Sequence, residues 1–236
     1  MFKACIAFVI LLILIQSSVS CAENTNSNVD PEISSIQNIP ANEIIFRSSI
    51  SMNNVESFSF KLTHEKGSGT FIDGLLLTDA SGHVTASNDL HVETNMLLGN
   101  LSVKGGIINL GTRSFILNPL TNTWTEVTVD SVPFGFFDPK SGLNSMLENA
   151  ENLKLVSSTS RWYEIVGNIS AKSLSAIVGT TTENNVTIMF RVNKDDFRIN
   201  KVEVTGKLTE DDREDITRTI RISGFDEKLE IHDPNS

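Results

Sequence analysis

The 236-residue chain predicts an α+β fold built on one strongly curved antiparallel sheet. Three observations carry this expectation. From Ser57 onward, apolar and polar residues alternate in run after run with turn signals between them, so successive strands join in meander order. The period is helical instead over residues 41–53, ahead of the first strand, and again midway from Ser141. No composition break divides residues 41–234, so a single sheet takes the strands and the helices cover it.

Residues 1–20 read as a removable secretory signal. Lys3 supplies the positive n-region, and Ile6 to Ile15 an apolar h-region too short to span a bilayer. Ser18 and Ser20 are the small residues a peptidase requires. Cys21 then stands at the first mature position, the acceptor for the diacylglyceryl group of a bacterial lipoprotein. At roughly 0.8 kcal/mol per buried CH₂, two or three acyl chains hold a protein firmly on a membrane. Ser18 occupies a position where an aliphatic residue usually precedes such a cysteine. Ser18-Val19-Ser20 also suits ordinary signal peptidase, which would release a secreted protein with a free Cys21. Anchoring at the extracytoplasmic face of the cell membrane is the expectation, and secretion the alternative. Residues 22–40 are polar and Asn/Ser-rich, with Pro31 and Pro40. They cannot bury enough surface to order themselves, so 21–40 is expected to be a lipidated cysteine and a flexible tether reaching about 25 Å.

Pro40 opens the first helix, with Glu43 near its positive end and Ile44, Ile45, Ser48 and Met52 on one face. Phe58, Phe60 and Leu62 then alternate with Ser59, Lys61 and Thr63. Lys66-Gly-Ser-Gly69 is expected to turn the chain into a return strand from Phe71 to Asp79. Leu90, Val92, Met96 and Leu98 share a face before a Gly99-Asn100 turn. Leu101, Val103 and Ile107 continue the meander, and Gly105-Gly106 reads as a bulge or bend. Arg113 to Asn118 is a strand, and Pro119 to Asn122 a turn ahead of Trp124. Pro133 to Pro139 is an apolar loop, after which Ser141 begins a helix with Leu143, Met146, Leu147 and Ala150 on one stripe. Strands at 153–157 and 161–169 and a short helix near 173–178 follow. Strands at 186–193, 199–208 and 216–225 close the chain. The hairpin between the last two carries Glu210 to Asp215, read as a solvated tip.

The net charge of −10 repels nucleic acid and anionic headgroups, so nucleic-acid binding is disfavoured. Cys5 leaves with the leader, which excludes an internal disulfide and makes the fold depend on an apolar core. No apolar run after the leader is long enough to cross a membrane. His64, His83, His91 and His232 stand at no metal-ligand spacing, and His83 and His91 read as solvent-exposed strand positions. No nucleophile elbow, phosphate loop or dinucleotide fingerprint occurs. Glu210 to Asp215 lacks the alternating ligands and central Gly of a calcium loop. No metal, no cofactor and no enzyme activity are expected. The apolar inventory is distinctive, with 13 Phe clustering at Phe58/Phe60 and at Phe134/Phe136/Phe137. A filled core accounts for it, and so does a cavity suited to acyl chains; periodicity leaves both open.

Taken in order, several segments resemble a known family. The cysteine and polar tether lead into a helix and SISMNNVESFSFKLTHE, then the hairpin GSGTFIDGLLL and the segment SFILNPLTNTWTEV. FFDPKSGLNSMLENAENLKLV, RWYEIVGNISAKSL and VTIMFRVNKDDFRINKVEVTGKL follow, before the ending TIRISGFDEKLEIHDP. The pattern around Trp124, Asp138-Pro139 and Gly142-Leu143, with that ending, is the most specific part. From about residue 41 to Pro234 the chain is similar to the LppX/LprA/LprF/LprG lipoproteins. The resemblance implies that residues 41–236 form a half-barrel, a bent sheet wrapped around inserted helices as in LolA/LolB-type carriers. It implies an acylated lipid or glycolipid bound in a hydrophobic cavity and carried or presented at the membrane, alongside a membrane lipid transporter in some members. Carried onto this chain, Phe58, Phe60, Leu62, Val92, Met96, Val103, Ile107, Leu143, Met146 and Leu147 are the candidate cavity lining, chosen by strand alternation and helical stripe. The alternative is an envelope scaffold or adhesion lipoprotein with a solid core and no lipid cargo.

Overall fold

The structure, a computed structural model, describes residues 39–66, 70–72, 75–127, 139–175 and 181–236. The expected signal, Cys21 and tether over residues 1–38, and the loop over 133–138, lie outside the described residues. Residues 39–236 form one compact unit.

Helix α1 (Ala41–Asn53) follows Pro40, whose carbonyl accepts the Ile44 N–H at 3.1 Å. Its buried face is Ile44, Ile45, Ser48 and Met52, the face the spacing predicts. The Ser48 hydroxyl escapes an unpaired burial by donating to the Ile44 carbonyl at 2.9 Å. The strands are β1 (Phe58–Lys66), β2 (Thr70–Ile72), β3 (Leu75–Val84), β4 (Leu90–Leu98), β5 (Leu101–Leu110), β6 (Arg113–Leu117) and β7 (Trp124–Val127). Helix α2 (Pro139–Asn149) comes next, then β8 (Glu151–Ser158), β9 (Trp162–Ser170) and a 3-10 turn at Ala171–Leu174. The chain closes with β10 (Asn185–Asn193), β11 (Ile199–Thr205) and β12 (Thr217–Ser223).

These strands form a single 12-stranded sheet in the order β7-β6-β5-β4-β3-β1-β12-β11-β10-β9-β8, with β2 paired to β3 off that path. Every pairing is antiparallel. Two meanders, β1–β7 and β8–β12, are thus fused by the pairing of β1 with β12, and β7 and β8 are left as edges. The sheet is not closed. α1 packs on α2 and β8, and α2 on β9 and the 3-10 turn.

Several expectations need correction. The expected return strand over 71–79 is two strands, β2 and β3, and β1 and β2 both run antiparallel to β3. The expected turn over residues 67–69 lies outside the described residues. Gly105 and Gly106 cause no bulge, since the β4–β5 register is unbroken from Leu90↔Asn109 to Leu98↔Leu101. Their role is close approach. A Cβ at Gly105 would lie 2.4 Å from Met96 Cε, and one at Gly106 2.8 Å from the Trp124 ring. Leu98 and Leu101 flank the tip and are exposed. α2 begins at Pro139, where a fixed φ suits the first turn, two residues before Ser141.

Candidate functional site

The inward face of the sheet and the two helices share one continuous buried apolar cluster. It takes Phe58, Phe60 and Leu62 from β1, Val92 and Met96 from β4, Val103 and Ile107 from β5, and Leu143, Met146 and Leu147 from α2. All ten sequence-chosen residues therefore meet in one interior. Cross-strand pairs Phe60↔Gly82, Val92↔Ile107 and Met96↔Val103 set this register. The Phe58 and Phe60 rings stand 6.5 Å apart. Sequence reasoning left out the other half of the same interior: Ile165, Ile188, Phe190, Val202 and Ile220 on β9–β12. The period-two run Val186–Val192 carries the signal that finds Ile188 and Phe190.

An open groove of about 550 Å³ runs between α1 and the junction of α2 with β8. Ile45, Phe46, Leu147, Ala150 and Leu153 form its apolar wall, and Asn42 and Glu148 stand at its rim. Ile45 and Leu147 also belong to the buried cluster, so the floor of the groove is the interior itself. Phe46, the residue after buried Ile45, is 60% exposed.

One end of the inward face is polar. Arg218 Nη2 donates to Asp212 Oδ1 at 2.6 Å, with side chains only 3% and 1% exposed. The other Asp212 oxygen accepts the Leu208 and Thr209 N–H groups, each at 2.8 Å. The expected solvated tip is thus divided: Glu210 and Asp215 are exposed, but Asp212 turns inward as an ion-pair partner and a loop cap. His64 Nδ1 lies 2.8 Å from the Thr78 carbonyl. Burial lowers its pKa, the carbonyl opposes that shift, and Arg218 adds to it.

The outward face of β3–β7 carries a second apolar patch. Ile108 and Phe115 are directly paired across β5 and β6, 5% and 0% exposed, and lie outside the inward cluster. The Arg113 guanidinium sits over the Phe115 ring, 4.7 Å from its centroid. Arg113 also clasps Glu126 through two hydrogen bonds and reaches Asp233 at 2.6 Å. These contacts raise the Arg113 pKa and lower those of its partners; Glu126 owes its shift first to Arg113, and Asp233 first to the Asn235 N–H.

The chain after β12 forms a strap over this face. The Asp226 N–H donates to the Ser57 carbonyl, the Ser57 hydroxyl donates to the Glu227 carbonyl, and Asp233 closes on Arg113. From β1 to β6 is four strand steps, about 19 Å. Six residues of extended chain reach about 20 Å, enough for a single pass between these two ends. Half-buried Leu229 and Ile231 alternate with exposed Lys228, Glu230 and His232.

His83 and His91 face each other across β3 and β4 on this surface, ring centroids 5.4 Å apart and edge-on. Their expected exposure is only half met: both are half-buried, and burial lowers both pKa values. Trp124 lies next in line, 6.4 Å from His91. Among the described residues no group of three or more His, Cys, Asp or Glu could hold a metal, and no helix is long and apolar enough to cross a membrane.

A family model described as LppX_LprAFG lipoprotein matches residues 40–231. Among solved structures, the chain is similar to LprF from Mycobacterium bovis at 14% identity and a TM-score of 0.63, over 82% of this chain and 96% of that one. It is similar to the Mycobacterium tuberculosis lipoprotein LppX at 14% identity and a TM-score of 0.55, over 81% of this chain and 98% of that one. At this identity the likeness is one of fold. A LolA superfamily protein from Nitrosomonas europaea also matches, at 11% identity and a TM-score of 0.26 over 84% and 96% of the two chains. No curated protein matches.

Proposed function

The chain belongs to the LppX_LprAFG lipoprotein family, and on that premise we propose that it binds an acylated lipid or glycolipid in its interior and carries or presents it at the extracytoplasmic face of the membrane. The observation that carries this reading is the single apolar interior shared by both helices and both meanders, reached from solvent through the groove between α1 and the α2–β8 junction.

A strongly bent sheet belongs to the same proposal. Laid flat, an eleven-strand path would spread about 48 Å, whereas α1 is about 20 Å long. Helices of that length keep Val103 of β5 and Phe190 of β10 in one buried cluster if the sheet wraps around them. The ten inward residues named above would then line the lipid site. Thr94 Oγ1 and Asn109 Oδ1 are buried among β4 and β5 without a hydrogen-bond partner among the described residues. Each suits the glycerol-ester region of a lipid, which offers both an acceptor and, at a free hydroxyl, a donor.

The mechanism needs no reactive side chain. A lipid leaving a bilayer exposes its tails to water at a cost of roughly 0.8 kcal/mol per CH₂. An apolar interior that receives the tails as they leave removes most of that cost. Anchoring through Cys21 would keep the domain within reach of its membrane, and a membrane lipid transporter is a fitting partner.

Extraction of the purified mature chain with organic solvent tests the proposal. Co-purifying lipid near one equivalent, or uptake of a fluorescent fatty acid by delipidated protein, is expected. Lipid-free protein that also takes up no acyl probe would overturn it in favour of a scaffold with a solid core.

A further inference from the structure

The outward face holds a second pocket, of about 310 Å³. It is built along one row of the sheet. Ser81 pairs with Glu93, Glu93 with Gly106, Gly106 with Leu117, and Leu117 with Trp124, so one row runs through five strands. Ser81, Glu93, Leu117 and Trp124 of this row line the pocket, with Thr94 and Gly105 beside them. Lys104 and Asn95 pair in the adjoining row. Gly106 has no side chain, and the Trp124 ring folds back across the row until its Cη2 lies 2.8 Å from where a Cβ would stand. The half-buried indole and Leu117 make an apolar wall over a floor of strand backbone.

Around that wall stand groups with unused hydrogen-bonding capacity. The exposed side chains of Glu93, Lys104 and Asn122 form no hydrogen bond or ion pair with the described residues. Asn95 gives its amide N–H to Asp79 Oδ1 at 2.7 Å, which leaves its carbonyl oxygen free to accept. One carboxylate and one ammonium balance each other, so the pocket favours a ligand without net charge. The combination required is a flat apolar face opposite a ring of groups that both donate and accept. A pyranose has these two surfaces: axial C–H groups on one face and hydroxyls at its edge. The volume is at the low end of small-molecule pockets, about 300–1,000 Å³.

We infer that this outward pocket is a saccharide-binding site, with the sugar stacked on Trp124 and its hydroxyls held by Glu93, Lys104, Asn95 and Asn122. These four sugar-contacting side chains lie on the opposite face of β3–β7 from the apolar interior, and none of them belongs to the lipid proposal; of the pocket's lining only Thr94 is shared with it. The sugar has two sources, a free envelope glycan or the head of a glycolipid in a membrane.

The test uses the full chain carrying Trp162→Phe, which leaves Trp124 as the sole indole. Its emission is followed on adding chitotriose, maltotriose or mannotriose, and phosphatidylcholine vesicles with and without a glucosyl diacylglycerol. A saturable change with a soluble trisaccharide is expected and assigns a free glycan. A change confined to glycolipid vesicles supports the site with a membrane source. Glu93→Ala with Lys104→Ala should weaken binding at least about tenfold, while uptake of an acyl probe stays unchanged. Gly106→Val, which displaces the indole, should abolish it. No saturable change with any trisaccharide or glycolipid, an equal response to both vesicle types, or binding indifferent to both variants overturns the inference.

Discussion

The two faces of strands β3–β6 bury apolar side chains by different means. On the inward face, Ala80, Val92, Val103 and Ile107 join a cluster that the helices complete. On the outward face, Ile108 and Phe115 are buried just as deeply, beside a C-terminal strap pinned by Ser57 at one end and Arg113 at the other. The outward face of the other meander carries ion pairs, Arg191 with Glu164 and Lys201 with Glu203. A strand that is apolar on both faces therefore marks where a second layer lies. β5 shows it directly, being buried from Gly105 through Ile108 without alternation.

Substitutions at matched depth test this contrast most severely. Phe190→Ala on the inward face should cost about 3–5 kcal/mol in urea unfolding. Phe115→Ala should cost somewhat less, about 2–3 kcal/mol, because a strap settles into a void more readily than a helix layer does. Truncation after Lys228 removes Leu229, Ile231 and Asp233, and its effect should add to Phe115→Ala by less than the sum of the two. Full additivity would show that the strap does not cover Phe115.

Asp212→Ala removes the buried carboxylate that pairs with Arg218 and caps Leu208 and Thr209; a loss of about 3 kcal/mol is expected. Glu210→Ala, at an exposed position of the same hairpin, should change stability by less than about 0.5 kcal/mol. Equal effects would return the whole hairpin to a solvated tip.

The groove separates the faces functionally. Ala150→Phe at its wall, in the Trp162→Phe background, should slow or weaken acyl-probe uptake about tenfold, equivalent to about 1.4 kcal/mol, while leaving the outward Trp124 emission as it was. Unchanged uptake would place lipid entry elsewhere.

The smallest effect expected is with pH. Folding lowers the pKa of His64, His83 and His91, so below about pH 6.5 the unfolded chain binds more protons and stability falls with acidification. Glu126 and Asp233 are lowered too, which adds a second loss below about pH 4. The His83→Asn, His91→Asn double variant should flatten the first window in a series of urea midpoints. A slope that survives assigns it to His64.

Much of the inward face was legible beforehand. The spacing of Ile44, Ile45, Ser48 and Met52 placed α1, and alternation placed Phe58, Phe60, Val92 and Val103 on one side. The glycines were misread, because a residue with no side chain does not reveal whether it bends a strand or admits a neighbour's ring. Gly106 admits Trp124, which arrives from two strands away. Asp212 was lost among five acids in six residues, since only its partner on β12 tells it from the exposed ones.

By itself the amino-acid sequence determined the elements and their inward faces, because period and turn chemistry act between residues close in the chain. It also carried the ordered motifs by which the family was met. Tertiary structure alone decided that β1 pairs with β12 to fuse two meanders, that the last residues strap the outward face, and that one row of five strands makes a pocket. Those contacts join positions far apart in sequence, and local preference is silent about which distant strand will lie alongside.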